Sequence, residues 1–174
     1  MQSQIQGMKG ISLSTNLLVQ VQGFMSKKKA QLCEELGEKY SVPPDEVADV
    51  VDTFLMDTYG PAKRLAELIA EKDETMLLFI GKKDCNVCKR CKPILEGFLT
   101  RHKELKVAKL DYSQPEGLLY HMIHNQDYGQ LPLIAFIFEG RIKMVFTGEC
   151  VCVSVYEKCY SDILAESSQN IYAH

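Results

Sequence analysis

No stretch of this 174-residue chain is long and apolar enough to cross a membrane. Its longest apolar runs, Met76 to Ile80 and Leu131 to Phe138, fall far short of the roughly 20 residues a spanning helix needs. Strong basic charge is missing too: the net charge is −3, which gives no footing for nucleic acid. The amino terminus, Met1-Gln2-Ser3-Gln4-Ile5-Gln6-Gly7, has neither the charged start nor the apolar segment of a secretory signal, so a cytoplasmic protein is expected. Repeats, low-complexity segments, a phosphate-cradling glycine loop and a serine–histidine constellation are all absent. His102, His121 and His124 lack a metal-binding spacing, and the last two read as a surface pair.

What the chain does have is cysteine: seven, at positions 33, 85, 88, 91, 150, 152 and 159. An odd number rules out full internal pairing, and in a reducing compartment most are expected to be buried thiols that pack as small apolar residues. Position decides the exception. Cys85 and Cys88 stand three residues apart directly after the apolar run Met76-Leu77-Leu78-Phe79-Ile80, which reads as a buried strand. Gly81-Lys82-Lys83-Asp84 reads as a turn and Lys89 to Arg101 as a helix, so the pair falls at a strand-to-helix corner. There the free N–H groups and positive dipole end of the helix favour a thiolate on the leading cysteine. Lys82, Lys83, Lys89, Arg90 and Lys92 add cations, and Asp84 opposes them. Such a basic cluster reads equally well as a solvated surface.

The length suits one domain with a core, alone or with a small appendage. Residues 1–26, rich in glutamine and serine, read either as a flexible arm or as a packing strand. Lys27 to Tyr40 has helical composition, and Ser41-Val42-Pro43-Pro44-Asp45-Glu46 stops that helix and starts another. The second helix, Asp45 to Thr58, sets Val47, Val50, Val51, Phe54 and Leu55 on one apolar face. Gly60-Pro61 reads as its end, and a third helix is expected from Pro61 to about Lys72, with Leu65, Leu68 and Ile69 on one side. Beyond it the order is strand (76–80), helix (88–101), strand (106–110), helix (115 to about 127), strand (132–138), strand (141–147) and helix (151–166). Glu139-Gly140 makes the two late strands a hairpin. This order describes an α/β fold, a mixed sheet with helices on both faces.

Element order and cysteine corner together resemble the thioredoxin superfamily over roughly residues 61–168. Pro93 stands where the active-site helix of that family commonly carries a proline, and Val107-Ala108-Lys109-Leu110-Asp111 looks like the central strand. Leu131-Pro132 lies where the family has its cis-proline, Gly140 marks the hairpin turn, and Thr147-Gly148 ends the last strand. The chain departs from thioredoxin at Asp84, Asn86 and Val87 around the first cysteine, has no tryptophan, and carries Phe79 in place of the buried acid. Lys109 does match the lysine that accompanies that acid. The resemblance implies a thioredoxin-like mixed central sheet flanked by helices over residues 61–174, with residues 1–60 as an amino-terminal helical extension.

It also implies a thiol–disulfide oxidoreductase acting on protein disulfides, with no cofactor beyond the redox-active disulfide itself. Cys85 is then the attacking thiolate and Cys88 the resolving one, Leu131 and Pro132 shape the substrate groove, and an external reductase supplies electrons. A second reading is a non-catalytic adaptor that uses the fold and its helical extension for protein contacts. In a third, Cys85, Cys88 and Cys91 join Cys150 to hold zinc or an iron–sulfur cluster, although Cys91 also suits helix packing. Cys152 and Cys159 align with Val155, Tyr156 and Ile163 and are expected in the core, and Cys33 at a helix contact. The stripe of Val47, Val51, Phe54 and Leu55 has to be covered, by the rest of the chain or across a homo-oligomer interface.

Overall fold

The computed structural model describes residues 11–124, 130–149 and 151–171. Five strands form one sheet: β1 (Ile11–Asn16), β2 (Met76–Gly81), β3 (Lys106–Asp111), β4 (Leu133–Phe138) and β5 (Arg141–Thr147). Their order is β1-β5-β4-β2-β3, with β2 and β3 parallel and every other neighbouring pair antiparallel. The helices are α1 (Leu17–Tyr40), α2 (Ala48–Ala70), α3 (Asn86–Arg101), α4 (Leu119–Ile123) and α5 (Val153–Ile171).

Both faces of the sheet are covered, which is why β2 and β4 read as nearly continuous apolar runs instead of alternating. Met76, Leu78, Ile80, Leu133, Ala135 and Ile137 point to the face covered by α1, α2 and α4. Leu77, Ile134, Phe136 and Phe138 point to the other, against Leu95 and Phe98 of α3 and Tyr156 and Ile163 of α5. At the hairpin between β4 and β5, Glu139 and Gly140 both have positive φ, 48° and 68°, the backbone a tight two-residue turn requires. Gly140 also accepts the N–H of Leu17 at 2.9 Å, and a Cβ there would lie 3.1 Å from the Ala70 carbonyl oxygen. The start of α1 and the end of α2 therefore meet at the hairpin end of these strands.

Four expectations are corrected. First, the helix expected from Lys27 begins ten residues earlier, at Leu17, with the Asn16 side chain accepting the N–H of Val19 at 3.1 Å as its cap; of the two readings of residues 1–26, the packing strand holds for Ile11–Asn16, which is the edge strand β1. Second, Gly60-Pro61 does not end a helix, because α2 runs through both, so the expected division at residue 60 falls inside a helix. Third, Val50, Phe54 and Leu68 are exposed; the buried side of α2 is Val51, Leu55, Ala62, Ala66 and Ile69. Fourth, the helix expected from Pro115 is a 3-10 turn (Pro115–Leu118) followed by the short α4, and its expected last residues, 125–127, lie outside the described residues.

No helix among the described residues is long and apolar enough to cross a membrane.

Candidate functional site

The site is built on the corner between β2 and α3. The turn is closed by the Cys85 N–H donating to the Lys82 carbonyl at 3.2 Å. Cys85 then takes the N-cap position of α3, with extended backbone (φ −86°, ψ 112°), and its sulfur accepts the N–H of Cys88 at 3.1 Å. A sulfur thus does the work usually done at this position by a serine or aspartate oxygen. The helix starts at Asn86, three residues earlier than Lys89, so both cysteines sit at its first turn.

Cys85 and Cys88 form a disulfide, with their Cα atoms 5.2 Å apart. The two sulfurs are not equivalent: Cys85 is half-buried, whereas Cys88 is 6% exposed. The N–H at the helix N-terminus, that of Cys88, points at the Cys85 sulfur, the less buried residue of the pair.

On one flank the Cys85 sulfur lies 3.7 Å from the carbonyl oxygen of Leu131. In the disulfide that sulfur has no proton; once reduced, it can donate to this oxygen. The Leu131–Pro132 peptide bond is cis, and Pro132 is buried. The segment is fixed from both sides. Tyr120 Oη donates to the Gln130 carbonyl at 3.2 Å, and the Gly148 N–H donates to the Pro132 carbonyl at 2.9 Å. Gly148 has φ +65°, and a Cβ there would run into the Gln130 side chain. Leu131, Pro132 and Cys85 are therefore brought together by chain segments far apart in sequence.

On the other flank, Cys88 borders an open cavity of about 460 Å³. Its apolar wall is Phe79, Gly81 and Leu110, and its rim carries Lys82, Lys83, Lys89, Lys92 and Lys109 with Asp111. A Cβ on Gly81 would meet the Phe79 ring at 2.7 Å and the Cys88 sulfur at 3.4 Å, so glycine lets ring and sulfur approach each other. Phe79 pairs in register with Lys109 on β3. The turn and helix lysines were visible as a cluster in the sequence. Lys109 and Asp111, from the next strand, join them only through the parallel β2–β3 pairing.

Cys91 is fully buried, and its thiol donates to the Glu149 carbonyl at 3.1 Å, tying α3 to the segment after β5. Cys150, the fourth residue of the metal reading, lies outside the described residues. Among the described residues no group of three or more histidine, cysteine, aspartate or glutamate side chains is arranged to hold a metal ion.

Cys33 and Cys159 are buried, as expected from their spacing. Burial pushes the Cys159 thiol up. Cys152 corrects the expectation of a core position. It is exposed just before α5, and a hydrogen bond with the Ser154 hydroxyl, 3.0 Å away, draws its thiol down. His121 likewise is no simple surface residue: it is half-buried with Nε2 2.7 Å from the Tyr112 hydroxyl, and burial, aided by Lys28, lowers its pKa.

No protein-family model and no curated protein matches the sequence. Among solved structures, the chain is similar to the reduced form of desulfothioredoxin from Desulfovibrio vulgaris Hildenborough, at 18% identity and a TM-score of 0.47 over 56% of this chain and 88% of that one. It is also similar to Fasciola hepatica thioredoxin, at 22% identity and a TM-score of 0.46 over 57% of this chain and 92% of that one. A third, oxidised mitochondrial thioredoxin 3 from Saccharomyces cerevisiae, aligns at 16% identity and a TM-score of 0.44 over 57% of this chain and 87% of that one. The molecule's own connections settle the architecture: β2-α3-β3 as a parallel unit, the β4–β5 hairpin and α5 closing the second face. The chain has a thioredoxin-like fold, with a Cys85–Cys88 disulfide at the corner where the first strand of that unit meets its helix.

Proposed function

We propose that this protein is a thiol–disulfide oxidoreductase that exchanges its Cys85–Cys88 pair with disulfides of other proteins. The observation that carries the reading is the asymmetry of the pair, a partly exposed cysteine at a helix N-cap joined to a buried one three residues on. In the reducing direction, the Cys85 thiolate attacks a substrate disulfide, forming a mixed disulfide and releasing one substrate thiolate. Cys88, having lost its proton to solvent, then attacks the Cys85 sulfur. The Cys85–Cys88 bond forms, the mixed disulfide breaks and the second substrate thiolate leaves. Two electrons have passed from the dithiol to the substrate, and an external thiol reductase returns them by the reverse exchange. Leu131 and Pro132 form the groove on the Cys85 flank, where the Leu131 backbone pairs with the substrate chain.

Titration of free thiols in a graded redox buffer tests this, with Cys85→Ser and Cys88→Ser alongside. The expected result is a reversible two-electron step in the native protein that both variants lose. The absence of such a step overturns the reading. Loss of the step in only one variant moves the redox pair to another cysteine.

A further inference from the structure

The dithiol has two unlike flanks. Beside Cys85 lies backbone, the Leu131 carbonyl and the buried Pro132, which serves any extended chain alike. Beside Cys88 lies the cavity walled by Phe79 and Leu110, with five lysines and one aspartate around it. All five lysine side chains are exposed, and none forms an ion pair with another described residue. The chain as a whole has net charge −3, so this surplus of positive charge is local and opposite in sign to the molecule around it. Unpaired charge of one sign around an apolar wall focuses field and draws in a partner of the other sign.

We propose that this flank is a docking groove for acidic polypeptide segments, so that the preferred substrates carry aspartate or glutamate next to the disulfide they exchange. The inference rests on the oxidoreductase reading and deepens it. An extended segment fits better than a compact anion because the cations come from three separate elements: Lys82 and Lys83 from the turn, Lys89 and Lys92 from α3, and Lys109 from β3. The phenyl ring of Phe79 offers apolar contact to a side chain lying between the carboxylates. Asp111, at the end of β3, disfavours a second acidic residue at that end and so gives the groove a direction.

The test uses three disulfide-containing peptides of equal length whose flanking residues are glutamate, glutamine or lysine, exchanged with the full chain. At ionic strength of about 0.01 M the acidic peptide is expected to react about tenfold or more faster than the glutamine peptide, and the lysine peptide slowest. At about 1 M salt, where the screening length shrinks to about 3 Å, the order collapses. The combined variant Lys82→Gln, Lys83→Gln, Lys89→Gln, Lys92→Gln changes only exposed side chains, and the readout is the ratio of acidic to glutamine rates. A general effect of the lysines on the Cys85 thiolate cancels in that ratio; loss of docking does not.

Equal rates for the three peptides, or a ratio kept in the variant, overturn the proposal. If no peptide is exchanged at all, the oxidoreductase reading fails by itself. Docking is then read from fluorescence anisotropy of a cysteine-free acidic peptide, which binds the native chain and not the variant if the groove exists. Displacement of that peptide by inorganic phosphate, but not by sodium chloride of equal ionic strength, makes the cavity a small-anion site and overturns the polypeptide reading.

Discussion

The two long helices differ from one end to the other. In their near halves, Leu17 and Val21 of α1 and Ala62, Ala66 and Ile69 of α2 belong to the same apolar cluster as β2, β4 and β5. Their far halves share a separate, much smaller cluster, Cys33, Val51 and Leu55, completed by side chains drawn only from α1, α2 and the 3-10 turn (Pro44–Val47) between them. The Phe24 and Tyr59 rings, 5.1 Å apart, mark the joint. Beyond it Tyr40, Val50 and Phe54 are more than half exposed, and the Lys29–Asp52 ion pair is too exposed to contribute much. The near halves are part of the domain core. The far halves are a helical hairpin held by few buried contacts, which places them at the low end of local stability.

The largest effect is therefore expected at the near end. Leu17→Ala removes a fully buried side chain between α1 and the sheet and is expected to cost about 2–5 kcal/mol of global stability. Denaturant unfolding followed at the sheet and at the helices should shift together. If only the helical signal moved, α1 would not be part of the core.

Leu55→Ala makes the same chemical change in the far cluster, where Leu55 is 2% exposed. Its effect is capped by the free energy of opening the far hairpin, so about 2 kcal/mol is expected, confined to that hairpin. Hydrogen exchange should quicken over 29–59 and stay unchanged in β2 and β4. Faster exchange in the strands would show one cooperative unit and remove the distinction between the two ends.

A smaller, stabilising change tests the joint. Gly60 lies in the interior of α2, and a Cβ there would meet only the flexible ends of Arg64 (3.2 Å) and Met56 (3.7 Å). Gly60→Ala is expected to raise stability by about 0.5–1 kcal/mol. A decrease would mean that the glycine is needed to bend the helix beside Pro61.

The joint also shows what the sequence made legible and what it hid. The cysteine corner was readable because strand, turn and helix follow one another locally, and the hairpin because Glu139-Gly140 supplies its own turn geometry. Helix α2 was misread as two because glycine and proline outweighed its periodicity. Its inward stripe, Val51, Leu55, Tyr59, Ala62, Ala66 and Ile69, keeps steps of three and four straight through Gly60-Pro61. Two of those positions are alanines, small enough for α2 to lie close to the sheet, and a reading that counts only large apolar residues passes over them. Phe54 and Leu68 were counted instead and prove exposed. The start of α1 was signalled only by the Asn16 cap ahead of a weakly apolar run. The groove on the Cys88 flank depends on which strand lies beside β2, and pairing between strands is not a local property of the chain.

The smallest expected effect concerns pH and separates the two ends by charge. His121 on α4 packs beside α1, and burial first, then the positive charge of Lys28, hold its pKa below the ordinary value of 6.5. The unfolded chain therefore binds a proton more readily than the folded one. Stability linked to His121 is complete above the unfolded pKa and is lost as pH falls through the lower folded one. A melting series from pH 8 to pH 5 should show native stability declining below about 6.5, with a shallower decline in His121→Gln. Because His121 is half-buried and Lys28 lies on the sheet side of Cys33, exchange at low pH should quicken first around Leu17 to Lys28. Quickening that began instead around Val51 and Leu55 would show that acid opens the far hairpin first, and that the core contacts of the near halves do not depend on a neutral imidazole.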